Sequence, residues 1–120
     1  MDASPVMLWI TGADKQCLYL NKGWLDFTGR TLDEVLGRGW LTDLHPDDLL
    51  RCQKISGPAF ENHESYELEY RLMHHSGSYR WILEQGAPLF AKDGTFQGFV
   101  GGCTDIHNQK VYHGKRDSFP

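Results

Sequence analysis

Side chains alternate strictly in character along residues 66–73, and this stretch restricts the fold more than any other part of the sequence. An apolar set alternates with a mostly charged set, namely Tyr66, Leu68, Tyr70 and Leu72 against Glu67, Glu69, Arg71 and Met73. A repeat of two residues is that of a β-strand with one buried face. We therefore predict a strand that begins near Glu64 and turns its apolar set towards a core.

Two further strands follow, each after a short turn. Residues 79–89 are rich in aromatic and branched side chains, although Gly86 and Pro88 are expected to weaken or bend the far end of that strand. Residues 96–106 form the last predicted strand. The turns are rich in Gly, Ser or Asp and cover residues 74–78 and 92–94. Three strands joined by tight turns predict an antiparallel arrangement.

The first half of the chain predicts a hairpin and then small helices. Residues 6–11 and 17–20 are short apolar runs separated by a turn sequence. Helical spacing follows, in which Gly29 can end one helix and Thr31 with Glu34 forms a capping-box sequence for the next. The order of elements predicts an α+β fold, a five-stranded antiparallel sheet with several short helices packed on one face.

The sequence HPDD at residues 45–48 is open to three interpretations. His45 with Asp47 or Asp48 could form part of a metal site or an acid–base pair, or the segment could begin a helix. Pro46 suits the first turn of a helix, and the two aspartates lie where the helix dipole favours negative charge. A metal site would need further ligands at a recognisable spacing, which the other histidines do not provide. We predict a helix start, with no catalytic or metal-binding residue.

Composition excludes several classes of protein. A chain of 120 residues suits one compact domain, and a net charge of −4 argues against a nucleic-acid binder. No apolar run approaches the roughly 20 residues of a membrane span, and no signal peptide pattern begins the chain, so no direct membrane insertion is expected. Cys17, Cys52 and Cys103 are an odd number without a CxxC pair, which predicts free thiols and a cytoplasmic location.

Two long stretches resemble the PAS domain, in the subtype whose last strands form the PAC motif. They read YLNKGWLDFTGRTLDEVLGRGWLTDLHPDD in the first half and YRLMHHSGSYRWILEQGAPLFAKDGTFQGFVGGCTDI in the second. The resemblance implies a single PAS domain over residues 5–108, followed by a C-terminal linker or tail over 109–120. It also implies a place in a bacterial-type multidomain signalling protein, such as a sensor histidine kinase or a diguanylate cyclase. The isolated domain is then not expected to be an enzyme.

The end of the resemblance implies a route for the signal. The family ending Asp-Ile-Thr is present as Asp105-Ile106-His107, and in the family it leads into a helix that connects to the effector domain. Asp105 and Ile106 are therefore the candidate relay residues. The remaining residues are too few for a kinase or cyclase domain, so we expect a module excised from a longer chain rather than a stand-alone sensor.

The resemblance leaves the cofactor open but disfavours two. The flavin-binding subtype carries an Asn-Cys-Arg-Phe-Leu-Gln stretch, which is missing here, and Cys52 lies beyond its expected place. Haem needs an axial histidine on the helix that faces the pocket. His45 lies at the very start of that helix, and Gly57-Pro58 is expected to break it before His63. A small organic ligand or an unoccupied core remains.

Strand alternation, with the family alignment, selects the side chains expected to line a pocket. They are Leu68, Tyr70, Leu72, Ile82, Glu84, Phe99, Gly101 and Cys103. Gly86 and Gly101 would remove bulk where a ligand could approach. Glu84 needs a partner if it is buried, either a protein donor or a ligand. We favour a solvated position at the pocket rim for this carboxylate, with a ligand contact as the alternative.

The opposite face of the sheet predicts an interface. Large apolar side chains there need a cover, so we predict a homodimer with Trp81, Leu83 and Val100 in or near the contact. In the PAS family a flanking helix can also cover this face. Three functions are thus compatible with the sequence. The favoured one is a sensory or regulatory module that binds a small molecule or partner and relays the signal to an effector in the same chain. A structural homodimerisation module with a filled core is second, and a small cone-shaped α+β enzyme is third.

Overall fold

The computed structural model describes residues 6–117, with side chains described for residues 6–112. Its strands are β1 (Met7–Gly12), β2 (Cys17–Leu20), β3 (Tyr66–Met73), β4 (Tyr79–Phe90) and β5 (Phe96–Asp105). In this part of the chain they form one five-stranded antiparallel sheet in the order β2-β1-β5-β4-β3. The predicted sheet is confirmed, and the observed strands begin and end within a residue or two of the predicted limits.

Helices fill the connection between β2 and β3 and follow β5. They are α1 (Lys22–Thr28), α2 (Leu32–Val35), α3 (Leu49–Asn62) and α4 (His107–Asp117), with 3₁₀ turns at Gly39–Asp43 and Pro46–Asp48. The predicted α+β class is thereby confirmed. Gly29 ends α1 in the left-handed conformation, with φ of 72°. The Glu34 carboxylate accepts a hydrogen bond from the Thr31 N–H at 2.9 Å, as a capping box does.

The expected break in α3 at Gly57-Pro58 is wrong. The helix continues through Pro58 to Asn62 and ends at His63, whose backbone is left-handed with φ of 53°. A proline inside a helix loses one backbone hydrogen bond, but packing against the sheet can outweigh that loss. Buried Cys52 and Ala59 lie on the packed side of the helix.

The predicted inward face of the sheet is confirmed. Leu68, Tyr70, Leu72, Ile82, Glu84, Phe99 and Cys103 are all buried beneath the helices. Asn21 joins this layer to the N-terminal strand: its side-chain oxygen accepts the N–H of Leu8 at 2.9 Å and that of Trp24 at 3.2 Å. One side chain therefore fixes the angle at which α1 leaves the sheet.

The outward face carries the side chains predicted there, each only half-buried. Leu83 and Val100 are intermediate in exposure, and Leu8 beside them is 44% exposed. Trp81 is partly covered from within the chain, because the Arg71 guanidinium lies 5.0 Å and the Lys110 ammonium 4.4 Å from its ring centroid. Helix α4 occupies most of the segment expected to be a linker or tail, and it starts beside Trp81. None of the helices in the described part of the chain is long and apolar enough to span a membrane.

Candidate ligand cavity

A cavity of about 390 Å³ lies between the inward face of the sheet and the helices. The sheet and its first turn contribute Trp9, Thr11, Lys15, Cys17, Leu20, Tyr66, Leu68, Tyr70 and Glu84. The helical half contributes Trp24, Arg38, Trp40, Leu41, Leu44, Cys52, Gln53, Ser56, Gly57 and Phe60. Small-molecule sites in proteins commonly enclose about 300–1,000 Å³ and are lined mainly by apolar and aromatic side chains. This cavity has the size and the wall of such a site.

A hydrogen-bonded group of polar side chains lies on the sheet side of the cavity. Glu84 is 8% exposed, and its two carboxylate oxygens accept the hydroxyl groups of Tyr66 and Tyr70, both at 2.8 Å. The Cys103 sulfur lies 3.4 Å from the Tyr70 oxygen and 3.8 Å from the Glu84 carboxylate. Strand register explains the grouping, since Glu84 lies directly between Leu68 on β3 and Cys103 on β5.

Burial shifts the protonation of this group towards its uncharged forms. It raises the pKa of Glu84, while the hydroxyl donors Tyr66 and Tyr70 act in the opposite direction. Burial, with the negative charge of Glu84 adding to it, raises the pKa of Tyr66. The pKa values of Tyr70 and Cys103 are also raised by burial. The two tyrosines and the thiol are thereby held in their neutral forms, whereas at Glu84 burial and the hydrogen bonds act in opposite directions.

Two glycines beside this group make room for aromatic rings of the protein itself. Trp9, Gly101, Gly86 and Tyr66 are consecutive partners in one row across four strands. A Cβ added at Gly86 would lie 2.5 Å from the Tyr66 ring, and one added at Gly101 would lie 2.2 Å from the Trp9 ring. The two rings lie face to face with centroids 6.5 Å apart. The expectation that these glycines leave space for a ligand is therefore corrected, because the tryptophan and tyrosine rings take that space.

The structure separates the predicted pocket residues into two groups. Leu68, Tyr70 and Glu84 line the cavity. The others lie outside its lining and pack in the core or beneath Trp9, namely Leu72, Ile82, Phe99, Gly101 and Cys103. The favoured solvated rim position of Glu84 is wrong, since two tyrosine hydroxyl groups and the core enclose its carboxylate. Ligand contact by any of these residues stays a prediction.

Sequence reasoning missed the contribution of the helices. Cys52, Ser56 and Phe60 line the cavity from one face of α3, and their spacing of four residues is that of a helical stripe. This spacing could have been recognised in the sequence. Burial raises the pKa of the Cys52 thiol to about 11, so this cysteine is a neutral wall residue. Trp9, Trp24 and Trp40 were also missed, because helix and hairpin positions do not show by themselves which way they face.

The HPDD segment begins a helix, as predicted. The His45 Nδ1 accepts the Asp47 N–H at 3.1 Å, and Pro46 opens the 3₁₀ turn that continues into α3. Asp48 is 3% exposed and forms two side-chain hydrogen bonds with the Arg71 guanidinium, at 2.7 and 3.0 Å. Its carboxylate is thus committed to an arginine rather than to a histidine. Within the described residues, no three His, Cys, Asp or Glu side chains form a group that could hold a metal ion.

The candidate relay residues lie where β5 passes into α4. One Asp105 carboxylate oxygen forms an ion pair with Arg80 at 2.7 Å, and the other accepts the His107 N–H at 2.9 Å. The Ile106 N–H donates to the Trp81 carbonyl at 3.0 Å, and the His107 ring nitrogen accepts the Trp81 N–H at 3.2 Å. The first turn of α4 is therefore held to β4 by several hydrogen bonds.

The described residues combine an antiparallel sheet, a cavity beneath short helices and a terminal helix after the last strand. The family model described as the PAS fold matches residues 17–102. The chain therefore belongs to the PAS fold family, and the predicted resemblance is confirmed. Members of this family act as sensory modules in signalling proteins.

Known proteins similar to this chain include parts of much longer ones. It is 40% identical over 109 residues to the uncharacterized protein y4lL of Sinorhizobium fredii, covering 91% of this chain and 13% of that protein. It is 28% identical over 123 residues to the peroxide stress-activated histidine kinase mak1 of Schizosaccharomyces pombe, covering 95% of this chain and 8% of the kinase. The chain thus spans a small fraction of the curated relatives it matches.

Solved structures share the fold. The N-terminal domain of a diguanylate cyclase with PAS/PAC sensor from Marinobacter aquaeolei superposes with a TM-score of 0.77 at 19% identity, over 88% of this chain and 99% of that one. At this identity the likeness concerns the fold alone.

Proposed function

We propose that this domain senses a small molecule in its cavity and relays the bound state through α4 to an effector domain of the same full-length chain. The observation that carries the proposal is the cavity of about 390 Å³ with the buried Glu84 carboxyl group in its wall. A chain that only needed a core would fill that space with side chains, because protein interiors are close-packed. The effector is of the kind in similar proteins, such as a histidine kinase or a cyclase.

The register of two strands supports the proposed relay. Glu84 on β4 faces Cys103 on β5, and Asp105 lies two residues further along β5. Arg80, four residues before Glu84 on β4, pairs with Asp105. A ligand that shifts β4 against β5 therefore changes the anchor of α4. A ligand transmits a signal only when it binds two conformations unequally, and here the two would differ in the hold on Asp105 and Ile106.

The expected result is a co-purified molecule whose removal loosens α4. Native mass spectrometry of freshly purified protein should show extra mass that leaves on denaturation. Hydrogen exchange of the backbone amides in residues 103–112 should then be at least about tenfold faster in the ligand-free protein, because fewer contacts oppose local opening there. Unchanged exchange in this segment, with ligand bound and removed, would contradict the relay. The amides of residues 89–98, at the opposite end of β4 and β5 from this junction, serve as the internal control.

We also propose a homodimer through the outward face of the sheet, which is the basis of the alternative function as an assembly module. The supporting observation is the apolar strip of half-buried Leu83 and Val100 with exposed Leu8. Apolar strips of this kind are usually covered by a partner. Trp81 contributes less than its size suggests, since Arg71 and Lys110 already contact its ring.

Leu83→Lys is expected to convert the dimer to a monomer, because it places a charge at the centre of an apolar contact. Light scattering coupled to gel filtration measures the mass of each variant. Leu50→Lys makes the same substitution on the exposed side of α3, where the leucine is 63% exposed and away from the outward face of the sheet, and should leave the dimer in place. A monomeric unmodified protein would contradict the proposal, and α4 or a further helix would then be the cover of this face.

A cytoplasmic location is proposed on the state of the cysteines. Cys17, Cys52 and Cys103 are all free and buried. Oxidising compartments favour paired cysteines, whereas free thiols persist where the surroundings are reducing.

A further inference from the structure

Glu84 differs from the other buried carboxylates described in the structure. Asp43 pairs with Arg30 at 3.0 Å, and Asp48 pairs with Arg71 at 2.7 Å. Glu84 is as deeply buried, yet no lysine, arginine or histidine among the described residues forms an ion pair with it.

Its partners are two hydroxyl groups and a thiol, none of which carries positive charge. A buried carboxylate is stable only when it is paired, and otherwise it takes up a proton. The described residues therefore supply no positively charged side chain to this carboxylate. The cavity gives a cationic ligand access to it.

The cavity wall is also suited to a cation. Six aromatic side chains line it: Trp9, Trp24, Trp40, Phe60, Tyr66 and Tyr70. The faces of aromatic rings attract cations, and ammonium groups are commonly bound by several such rings together. The Lys15 ammonium already lies 5.7 Å from the centroid of the Phe60 ring. An ammonium group inside the cavity would have rings around it and a carboxyl group on the sheet side.

We propose that the cavity binds a small organic cation, an amine or quaternary ammonium with an apolar body, and that its charge is directed at Glu84. This inference rests on the proposed function, since it requires the cavity to bind a ligand. A volume of about 390 Å³ holds such a molecule. Lys15 and Arg38 also line the cavity, but both residues are exposed to water, which screens their charge.

Binding of a cation is then linked to a proton. Burial raises the pKa of Glu84, whereas a bound ammonium group favours the carboxylate and lowers that pKa again. The affinity for the cation should therefore rise with pH, and binding should release a proton wherever free Glu84 is protonated. The neighbouring titratable groups do not contribute to this pH dependence. Burial raises their pKa values and keeps them neutral, which applies to Tyr66, Tyr70, Cys52 and Cys103.

Calorimetric titration of the whole chain with choline and with its neutral isostere 3,3-dimethylbutanol tests the inference. We expect choline to bind at least about tenfold more tightly than the isostere, because only choline carries the positive charge that the Glu84 carboxylate and the aromatic rings attract. Glu84→Gln should remove most of that preference by weakening choline far more than the isostere, while the aromatic rings still attract the cation. The glutamine amide can accept a hydrogen bond from one tyrosine hydroxyl and donate one to the other, so both contacts remain and the variant should fold. Titration in buffers of different ionisation heat counts the released proton.

Two further variants provide a matched control and an independent test. Glu61→Gln makes the same change on the exposed side of α3 and should retain the preference for choline. Trp40→Leu, on the opposite wall, should reduce the preference about threefold or more by removing one ring, and it tests the inference even if Glu84→Gln does not fold.

Equal affinity for choline and the isostere, or an unchanged preference in Glu84→Gln, would overturn the proposal of a cationic ligand. It would not contradict the proposal that the cavity binds a ligand. If neither probe binds, the proposal of a cationic ligand is overturned as well. In that case a co-purified mass in the native spectrum would still support the sensor, whereas bare chains would remove both proposals.

Discussion

Gly101→Ala is expected to lower the free energy of unfolding by about 3 kcal/mol or more, since overpacking of a well-packed core commonly costs about 1–3 kcal/mol and backbone lies in the way here. The new Cβ would lie 2.2 Å from the Trp9 ring and 2.5 Å from the Gln85 carbonyl oxygen. The ring could move, but only into the cavity or against Tyr66, with which it is stacked. The carbonyl oxygen is part of β4 and cannot move without disturbing the sheet.

Urea denaturation monitored by tryptophan fluorescence measures the effect. Gly102→Ala is the matched control, since it makes the same change one residue along β5, where the new Cβ would meet nothing closer than 3.7 Å. Its unfolding free energy should stay within about 0.5–1 kcal/mol of the wild type. Similar losses in the two variants would show that the backbone of β5, and not the position of the Trp9 ring, determines the cost.

The sheet could be predicted from the sequence because its signals are local. The alternation along residues 66–73 depends on neighbouring residues alone, and turn sequences mark the ends of the strands on either side. The same locality allowed the capping box at Thr31 and the helix start at Pro46 to be predicted. The interruption at Gly57-Pro58 was wrong because packing of α3 against β3 is a tertiary effect, and it outweighs the local cost of a proline.

The cavity could be predicted only in part, because it depends on how the helices lie over the sheet. Alternation shows which side of a strand faces inward, but it does not distinguish a wall of the cavity from the packed core beside it. Leu68 and Leu72 are equivalent in sequence pattern, yet only Leu68 lines the cavity. In α3 the apolar Leu50 and Ile55 are 63% and 38% exposed. The positions of the apolar residues therefore do not indicate which side of this helix packs against the sheet.

The environment of Glu84 depends on pairs of residues far apart in sequence. Its partners Tyr66 and Tyr70 reach it only because β3 and β4 pair in this register. A shift of β3 by one residue would turn both tyrosines to the opposite face of the sheet, away from Glu84. The two glycines lie in the next row of the sheet, where rings from β1 and β3 cover them, and neither ring is identified by the sequence near the glycines.

Asp48→Asn is expected to lower the free energy of unfolding by about 2–4 kcal/mol, since breaking a buried ion pair leaves the other partner uncompensated. The Asp48 carboxylate accepts the backbone N–H of Arg71 at 2.8 Å as well as two guanidinium hydrogen bonds, and Arg51 lies 3.2 Å from it. It thereby fixes the start of α3 to β3. Thermal unfolding should show the loss as a decrease of roughly 10 °C in melting temperature.

The pH dependence of this contribution has a definite sign. Burial alone would raise the pKa of Asp48, but the hydrogen bonds and charge of Arg71 outweigh it and lower the pKa to about 2. An unfolded aspartate titrates near pH 4. Because the folded pKa is the lower one, the stabilisation is complete above about pH 4 and is lost as the pH falls towards about 2. The difference in unfolding free energy between wild type and Asp48→Asn should shrink over that interval.

Asp47→Asn separates this ion pair from a general effect of charge at the helix start. Asp47 is exposed, and its backbone N–H rather than its carboxylate makes the contact with His45. Its replacement should cost about 0.3–1 kcal/mol, the usual contribution of an acidic group near a helix N-terminus. Two results would contradict the ion pair: an equal loss of stability in the two variants, or a loss in Asp48→Asn that does not change between about pH 6 and pH 2. Asp48 would then stabilise the protein through its charge at the helix start and not through Arg71.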